Sequence, residues 1–322
     1  MIRAFLLGIL LLTTVVQAQP QKFGDIPREH LEMEVYDLDS TASAVVLFSY
    51  GESNLDYRND RFYLSITRHE RIKILTDEGL ERGDIAIRYR NRGSDTPQRV
   101  TDIKASSYTI NEQGKLVEEK VGRRDRFEED ISDTRSEIKF TIPGLKKGSV
   151  LEYSYEITSN NPLDFPDWLF QSDIPVMWSE YKARIPEWFK FLTVTRGFNE
   201  YYIDEKETYQ DFITFRSNQN RMGSGVTVTY ATNNSSRFDY EGTEYHYVMR
   251  DLPALRQEPY MKASIDYLSH VRYQLAAIEM PNSMPKYYLT SWGDEVNQMA
   301  EDRDFGDRLK SSDELTEATA NA

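Results

Sequence analysis

The chain predicts an all-β fold, a large antiparallel β-sandwich with a short helical C-terminal extension. Three observations carry that expectation. From about residue 31 to 250, short runs alternate apolar and polar side chains, clusters of Gly, Asn, Pro and Asp separate them, and no long helical pattern intervenes. A parallel sheet would need such helices as crossovers, so a doubly wound or parallel-barrel reading fails.

Taken in order, "KFGDIPREHLEM" (22–33) reads as a loop or short helix. Strands are expected at "SAVVLFSY", "RFYLSITRHERIKIL", "DIAIRY", "SEIKFTIP", "SVLEYSYEIT", "EYKARIP", "FLTVT", "DFITFRS", "VTVTYAT" and "YHYVMRDLP". In "SVLEYSYEIT" Leu151, Tyr153, Tyr155 and Ile157 share one face, and Glu152, Ser154 and Glu156 the other, the pattern of a strand solvated on one side. "TDEG" (76–79), "NRGSDTP" (91–97), "NEQG" (111–114), "PGLKKG" (143–148) and "NNP" (160–162) supply the turns. "GRRDRFEEDISDTRSE" (122–137) breaks the rhythm and reads as a salt-bridged loop or short helix.

The C-terminal part changes character. "SIDYLSHVRYQLAAIE" fits a strand through Val271, Tyr273, Leu275 and Ala277, in preference to a helical stripe through Ile265, Leu268, Tyr273 and Ala276. After Pro285, Tyr288, Trp292, Val296 and Met299 recur every three to four residues and predict a helix near 287–303. "KSSDELTEATANA" carries no core pattern and reads as a linker-like tail. The expected organisation is a signal peptide at 1–18, a β-sandwich accessory domain at 19–280, and a helical segment with tail at 281–322.

The start supports export. Arg3 precedes an apolar run from Ala4 to Leu12, and Val16 and Ala18 stand at the small-residue positions of a cut after Ala18. The expected localisation is periplasmic or otherwise exported, with no transmembrane segment after the signal peptide. The 322 residues contain no cysteine, so thiolate catalysis and cysteine metal ligation are excluded from them. With 39 basic against 53 acidic residues the formal charge is −14, which repels phosphate backbones and argues against nucleic acid as a partner.

Motifs for chemistry are sparse. His30, His69, His246 and His270 stand singly, and "HERIKI" (69–74) begins like a zinc-protease helix but lacks the second histidine. "MGSGV" around Ser224 lacks the spacing of a nucleophile elbow and reads as a hairpin connection. Asp37 and Asp39 lack the glycine and distal acid of a calcium loop. Carboxylate pairs such as Glu180 with Glu187 or Asp164 with Asp167 can be named, but spacing in a β-rich chain cannot set their separation across a cleft. No catalytic residue, metal ligand or cofactor is expected, and the chain is read as a non-enzyme.

An ordered series of stretches carries a family resemblance: "RHERIKILTDEG" (68–79), "DIKASSYTINEQGKLVE" (102–118), "FTIPGLKKGSVLEYSYEI" (140–157), the aromatic segment up to "SEYKARIP" (179–186), and "RDLPALRQEPYM" (250–261). Over about residues 55–280 the chain resembles domain of unknown function 3857, the β-rich domain found N-terminal to transglutaminase-like domains in secreted Bacteroidetes-type proteins. The resemblance implies a noncatalytic module beside a catalytic domain whose activity would rest on a Cys, a His and an Asp. No residue here matches that triad. The expectation is a stand-alone or truncated accessory domain, or the front of a longer enzyme.

Candidate contact residues come from two stretches. Phe165–Phe191 holds three of the four tryptophans, so Trp168, Phe170, Trp178 and Trp188, with Tyr181 and Phe189, could form a platform for sugar rings or peptide side chains. The alternation of Tyr181, Ala183 and Ile185 between Pro175 and Pro186 favours instead a packed seam between sheets. Arg250, Glu258 and Tyr260 could orient a neighbouring domain through charge-assisted contacts, against the plainer reading of a crossover between strands. The expected function is an exported accessory or scaffold domain that positions a downstream domain or an envelope protein. Binding of a carbohydrate or cell-wall peptide is the alternative.

Overall fold

The computed structural model describes residues 22–58, 61–218, 233–256, 261, 267–281, 284–288 and 292–301. The expected signal peptide, "VTVTYAT", Ser224, Glu258, Tyr260 and the tail lie outside them. Among the described residues fifteen strands run in chain order: β1 (Ala44–Arg58), β2 (Arg61–Ile74), β3 (Asp84–Arg90), β4 (Gln98–Ile110), β5 (Leu116–Lys120), β6 (Phe127–Ser132), β7 (Arg135–Thr141), β8 (Val150–Ser159), β9 (Trp168–Leu169), β10 (Val176–Pro186), β11 (Phe189–Arg196), β12 (Ile203–Asn218), β13 (Asn233–Leu252), β14 (His270–Ile278) and β15 (Lys286–Tyr287). Two short α-helices flank them, α1 (Arg28–Glu32) and α2 (Trp292–Glu301). Among the described residues no helix is long and apolar enough to cross a membrane.

The architecture is all-β. An eight-stranded sheet has the order β12-β13-β10-β1-β2-β8-β4-β5; a four-stranded sheet joins β11, β14, β15 and β9; a three-stranded sheet has the order β3-β7-β6. Among the described residues the pairings are antiparallel except between β1 and β10, where Tyr50 stands against Glu180 and Asn54 against Arg184 in parallel register. That one parallel contact departs from the wholly antiparallel expectation. It arises because β10 enters the sheet beside β1 after a long excursion through β2 to β9 rather than by a hairpin.

Local chemistry accounts for the turns. At "NEQG" the Asn111 side-chain oxygen accepts from the Gln113 and Lys115 N–H groups at 3.1 and 2.9 Å, and Gly114 takes φ +73°. That combination reverses the chain between β4 and β5. The stretch 122–137, read from sequence as a loop or short helix, forms a brief 3₁₀ turn at Arg123–Asp125 and then the hairpin β6–β7.

Both smaller sheets share one core with the large sheet. Leu64, Ile72, Leu151, Tyr181, Ala183 and Met249 of the large sheet are continuous with Trp168, Phe189, Tyr273 and Leu275 of the second sheet and Ile87 and Phe140 of the third. Full burial of each large apolar side chain contributes about 1.5–3 kcal/mol over exposure. A second cluster lies where the N-terminal arm covers the large sheet: Ile26, Leu31 and Met33 pack on Tyr36, Val45, Leu47, Tyr108 and Val150.

This cover changes one expectation. Alternation alone puts Glu152 on a solvated face, yet it is 0 % exposed because the arm crosses above it.

Candidate functional site

The alternation of β2 places His69, Arg71 and Lys73 on one face of the large sheet. Cross-strand register sets Arg71 beside Glu152 of β8, and Glu152 beside Ser106 of β4. Arg71, Lys73 and Glu152 are all 0 % exposed. Charges so deeply buried persist only when paired and hydrogen-bonded. Glu152 Oε1 accepts from Arg71 Nη2 at 2.7 Å and His69 Nε2 at 2.8 Å, while Oε2 accepts from the Gly24 N–H at 2.8 Å. Phe23 stacks on the His69 ring at 5.6 Å and Phe48 meets that ring edge-on at 4.7 Å.

The same row of cations grips the arm by its backbone. Arg71 Nη2 donates to the Asp25 carbonyl at 3.0 Å, and Lys73 Nζ donates to the carbonyls of Leu31 at 2.8 Å and Gly148 at 2.6 Å. Burial acts to raise the Glu152 pKa, but the His69 hydrogen bond, the Arg71 charge and the Gly24 N–H outweigh it and hold the carboxyl below its ordinary value. Burial pushes the Lys73 ammonium down to about 8. The arrangement is an ionic clasp that fixes residues 24–31 against the sheet.

A second carboxylate–histidine pair lies across the same sheet. Glu180 of β10 is 2 % exposed and accepts from His246 Nε2 and Trp178 Nε1, each at 3.0 Å. Lys182 Nζ lies 3.7 Å from Glu180, and Glu205 Oε2 lies 3.7 Å from His246 Nδ1. Burial again opposes ionisation of Glu180, and the hydrogen bonds from His246 and Trp178 overcome it. Beside this pair is a surface cluster: the Arg250 guanidinium sits 4.0 Å over the Tyr202 ring, and Trp178 meets Tyr202 edge-on at 5.7 Å. Tyr202 is 51 % exposed, so this cluster faces solvent.

The structure divides the residues named from sequence. Trp178 and Arg250 come together across β10 and β13, where they are register partners. Trp168, Phe170 and Trp188 are buried in the core instead. Trp168 stacks on Tyr181 at 5.1 Å and donates to Ser179 Oγ at 3.2 Å; Phe170 meets Tyr201; Trp188 packs on Tyr240 at 4.7 Å. Tyr181 and Phe189 are buried with them. A flat platform built from these rings is therefore unavailable to a ligand, and the packed seam accounts for them. Sequence reasoning did not identify Arg71, Lys73, Glu152 or the Glu180–His246 pair as a site. The signal was present in "HERIKI", where His69, Arg71 and Lys73 recur at the two-residue spacing of one strand face. Among the described residues no group of three or more His, Asp or Glu side chains is placed to hold a metal ion.

The third feature is α2. Val296 and Met299, three residues apart on one helical face, are 61 % and 48 % exposed, and nearby Met284 and Tyr287 are 91 % and 58 % exposed. These apolar side chains are left about half exposed or more.

The chain matches a crystal structure from Parabacteroides distasonis ATCC 8503, described as a "putative protease", at 15 % identity and TM-score 0.47, over 73 % of this chain. The chain spans 41 % of the length of that protein. No curated protein sequence matches the chain. Residues 63–221, which include all of β3 to β12, match the family described as a domain of unknown function with a solved structure (DUF3857).

Proposed function

We propose that the chain is an exported, noncatalytic β-sandwich module that positions a neighbouring domain or protein. The observation that carries this reading is α2, a ten-residue helix whose Val296 and Met299 lie open to solvent. Isolated helices of this length are marginal in water because nucleation is unfavourable, and an apolar stripe stabilises a helix only when it is covered. A protein surface would cover it. The resemblance to a domain that accompanies transglutaminase-like domains supports a downstream catalytic neighbour as that surface. The clasp supports a rigid scaffold: it spends buried charge on holding the chain's own N-terminal arm.

Site-specific photocrosslinking in the native envelope tests the proposal. A photoreactive residue at Val296 should give one discrete product, mapping to one surface of one polypeptide, while the same group at Leu192, 52 % exposed on β11, should not. Equal or absent products from both positions would overturn it. Export makes a separate prediction, a mature N-terminus at Gln19.

Trp178, Tyr202 and Arg250 favour a second reading, a site for a carbohydrate or cell-wall peptide, since a solvent-facing aromatic beside a guanidinium can stack on a sugar ring and hydrogen-bond its hydroxyls. Glycan or muropeptide binding abolished by Trp178→Ala would support it. Absence of binding to either class would remove it.

A further inference from the structure

A cleft of about 780 Å³ opens at the β5 edge of the large sheet. Strands β4 and β5 contribute Lys104, Tyr108, Glu118 and Lys120; Lys22–Asp25 form one wall, and Val121 and Arg126 the other. The walls are held by hydrogen bonds. The clasp holds Gly24, the Asp125 carboxylate accepts from the Gly122 N–H at 2.8 Å, and Arg126 Nη2 donates to the Ile103 carbonyl at 2.9 Å.

Its charge is opposite to that of the chain. Lys22, Lys104, Lys120 and Arg126 face only two carboxylates, Asp25 and Glu118, in a protein of net charge −14. Glu118 is already engaged, accepting from Ser106 Oγ and Tyr108 Oη at 3.1 Å each and pairing with Lys120 at 3.1 Å. Among the described residues no carboxylate lies within ion-pair distance of Lys22, Lys104 or Arg126. Arg126 Nε is buried without a hydrogen-bond partner, and burial together with neighbouring Arg123 pushes the guanidinium pKa down. A buried donor left unmade is costly, and an anion placed there would satisfy it and relieve the Arg123–Arg126 repulsion together. The volume falls within the range of small-molecule sites.

We infer that this cleft binds a compact polyvalent anion, a phosphate- or carboxylate-bearing small molecule, ligated by Lys104 and Arg126 with Lys22 and Lys120 at the rim. Recognition is local, since the overall negative charge repels anions at long range, and binding weakens as salt screens the cleft. The site is separate from the α2 face and does not depend on that surface being a docking site.

Calorimetric titration of the intact chain with inorganic pyrophosphate and with citrate, at low ionic strength, tests the inference and separates phosphate from carboxylate ligands. Saturable binding of at least one anion is expected, weakened at least about tenfold in Lys104→Ala/Arg126→Ala through loss of two charge-assisted contacts. Arg237→Ala, which removes an exposed cation stacked on Phe212, should leave binding unchanged. Should the double variant unfold by circular dichroism, Lys104→Gln at its exposed position must by itself weaken binding. No saturable heat with either anion, or undiminished binding in the folded cleft variant, would overturn the assignment.

Discussion

Glu152 and Arg71 form an ion pair of 2.7 Å with both side chains 0 % exposed, and the same carboxylate holds the backbone of Gly24 at 2.8 Å. Removing one partner of a buried pair leaves the other uncompensated, which costs about 3–5 kcal/mol. Glu152→Gln should therefore lower the urea midpoint strongly, with Gly24 and neighbouring amides losing hydrogen-exchange protection ahead of the rest of the sheet. Wild-type stability in Glu152→Gln would show that the clasp is energetically idle.

The clasp also sets a pH dependence of one sign in two separate pH windows. Glu152 ionises more readily folded than unfolded, so its contribution is fully present above the unfolded glutamate pKa, roughly 4.3, and is lost as pH falls through the lower folded value. Lys73 acts in the same direction at higher pH: its folded pKa of about 8 lies below the ordinary 10.5, so the folded chain releases that proton first. Between those values the unfolded state holds more protons, and stability from this group rises with pH. Urea midpoints from pH 7 to 10 should show a rise in wild type relative to Lys73→Met. Parallel curves would contradict the burial of a charged lysine.

Gly51 on β1 is required by close approach rather than by its dihedral angles. A Cβ there would overlap the Trp168 ring, which also stacks on Tyr181, the register partner of Gly51 on β10. Gly51→Ala should cost about 1–3 kcal/mol through overpacking, and Trp168→Leu should cost less in the Gly51→Ala background than alone. Additive losses in the double-mutant cycle would rule out this contact.

The tryptophans of one short stretch should separate by role. Trp168→Ala empties the core and should cost about 3–5 kcal/mol, whereas Trp178→Ala at the surface cluster should cost about 1 kcal/mol, mainly through the lost hydrogen bond to Glu180. Thermal or urea unfolding of the two variants distinguishes them. Loss of binding in Trp168→Ala alone would report a damaged fold rather than a removed ligand contact.

Sequence periodicity exposed much of this architecture. Val271, Tyr273, Leu275 and Ala277 alternate in the chain, and β14 buries all four at 0 %, 6 %, 3 % and 4 % exposure. The helical spacing around Val296 likewise marked α2. Alternation reports that a face is polar, but not whether a distant segment covers it. Glu152 meets Gly24 across 128 residues of sequence, and Glu180 meets His246 across 66, so neither partnership has a local signature. Trp168 and Trp178 stand ten residues apart in one aromatic run, and their separation into core and surface depends on a sheet that chain order alone does not specify.

Amide hydrogen exchange across Trp292–Glu301, compared between protein extracted in its native assembly and the same chain isolated from it, bears most directly on the proposed positioning role. A ten-residue helix with exposed Val296 and Met299 should exchange rapidly when isolated and become protected when docked. Protection confined to the native assembly is the predicted result. Equally fast exchange in both would contradict a module that positions its neighbour through this helix.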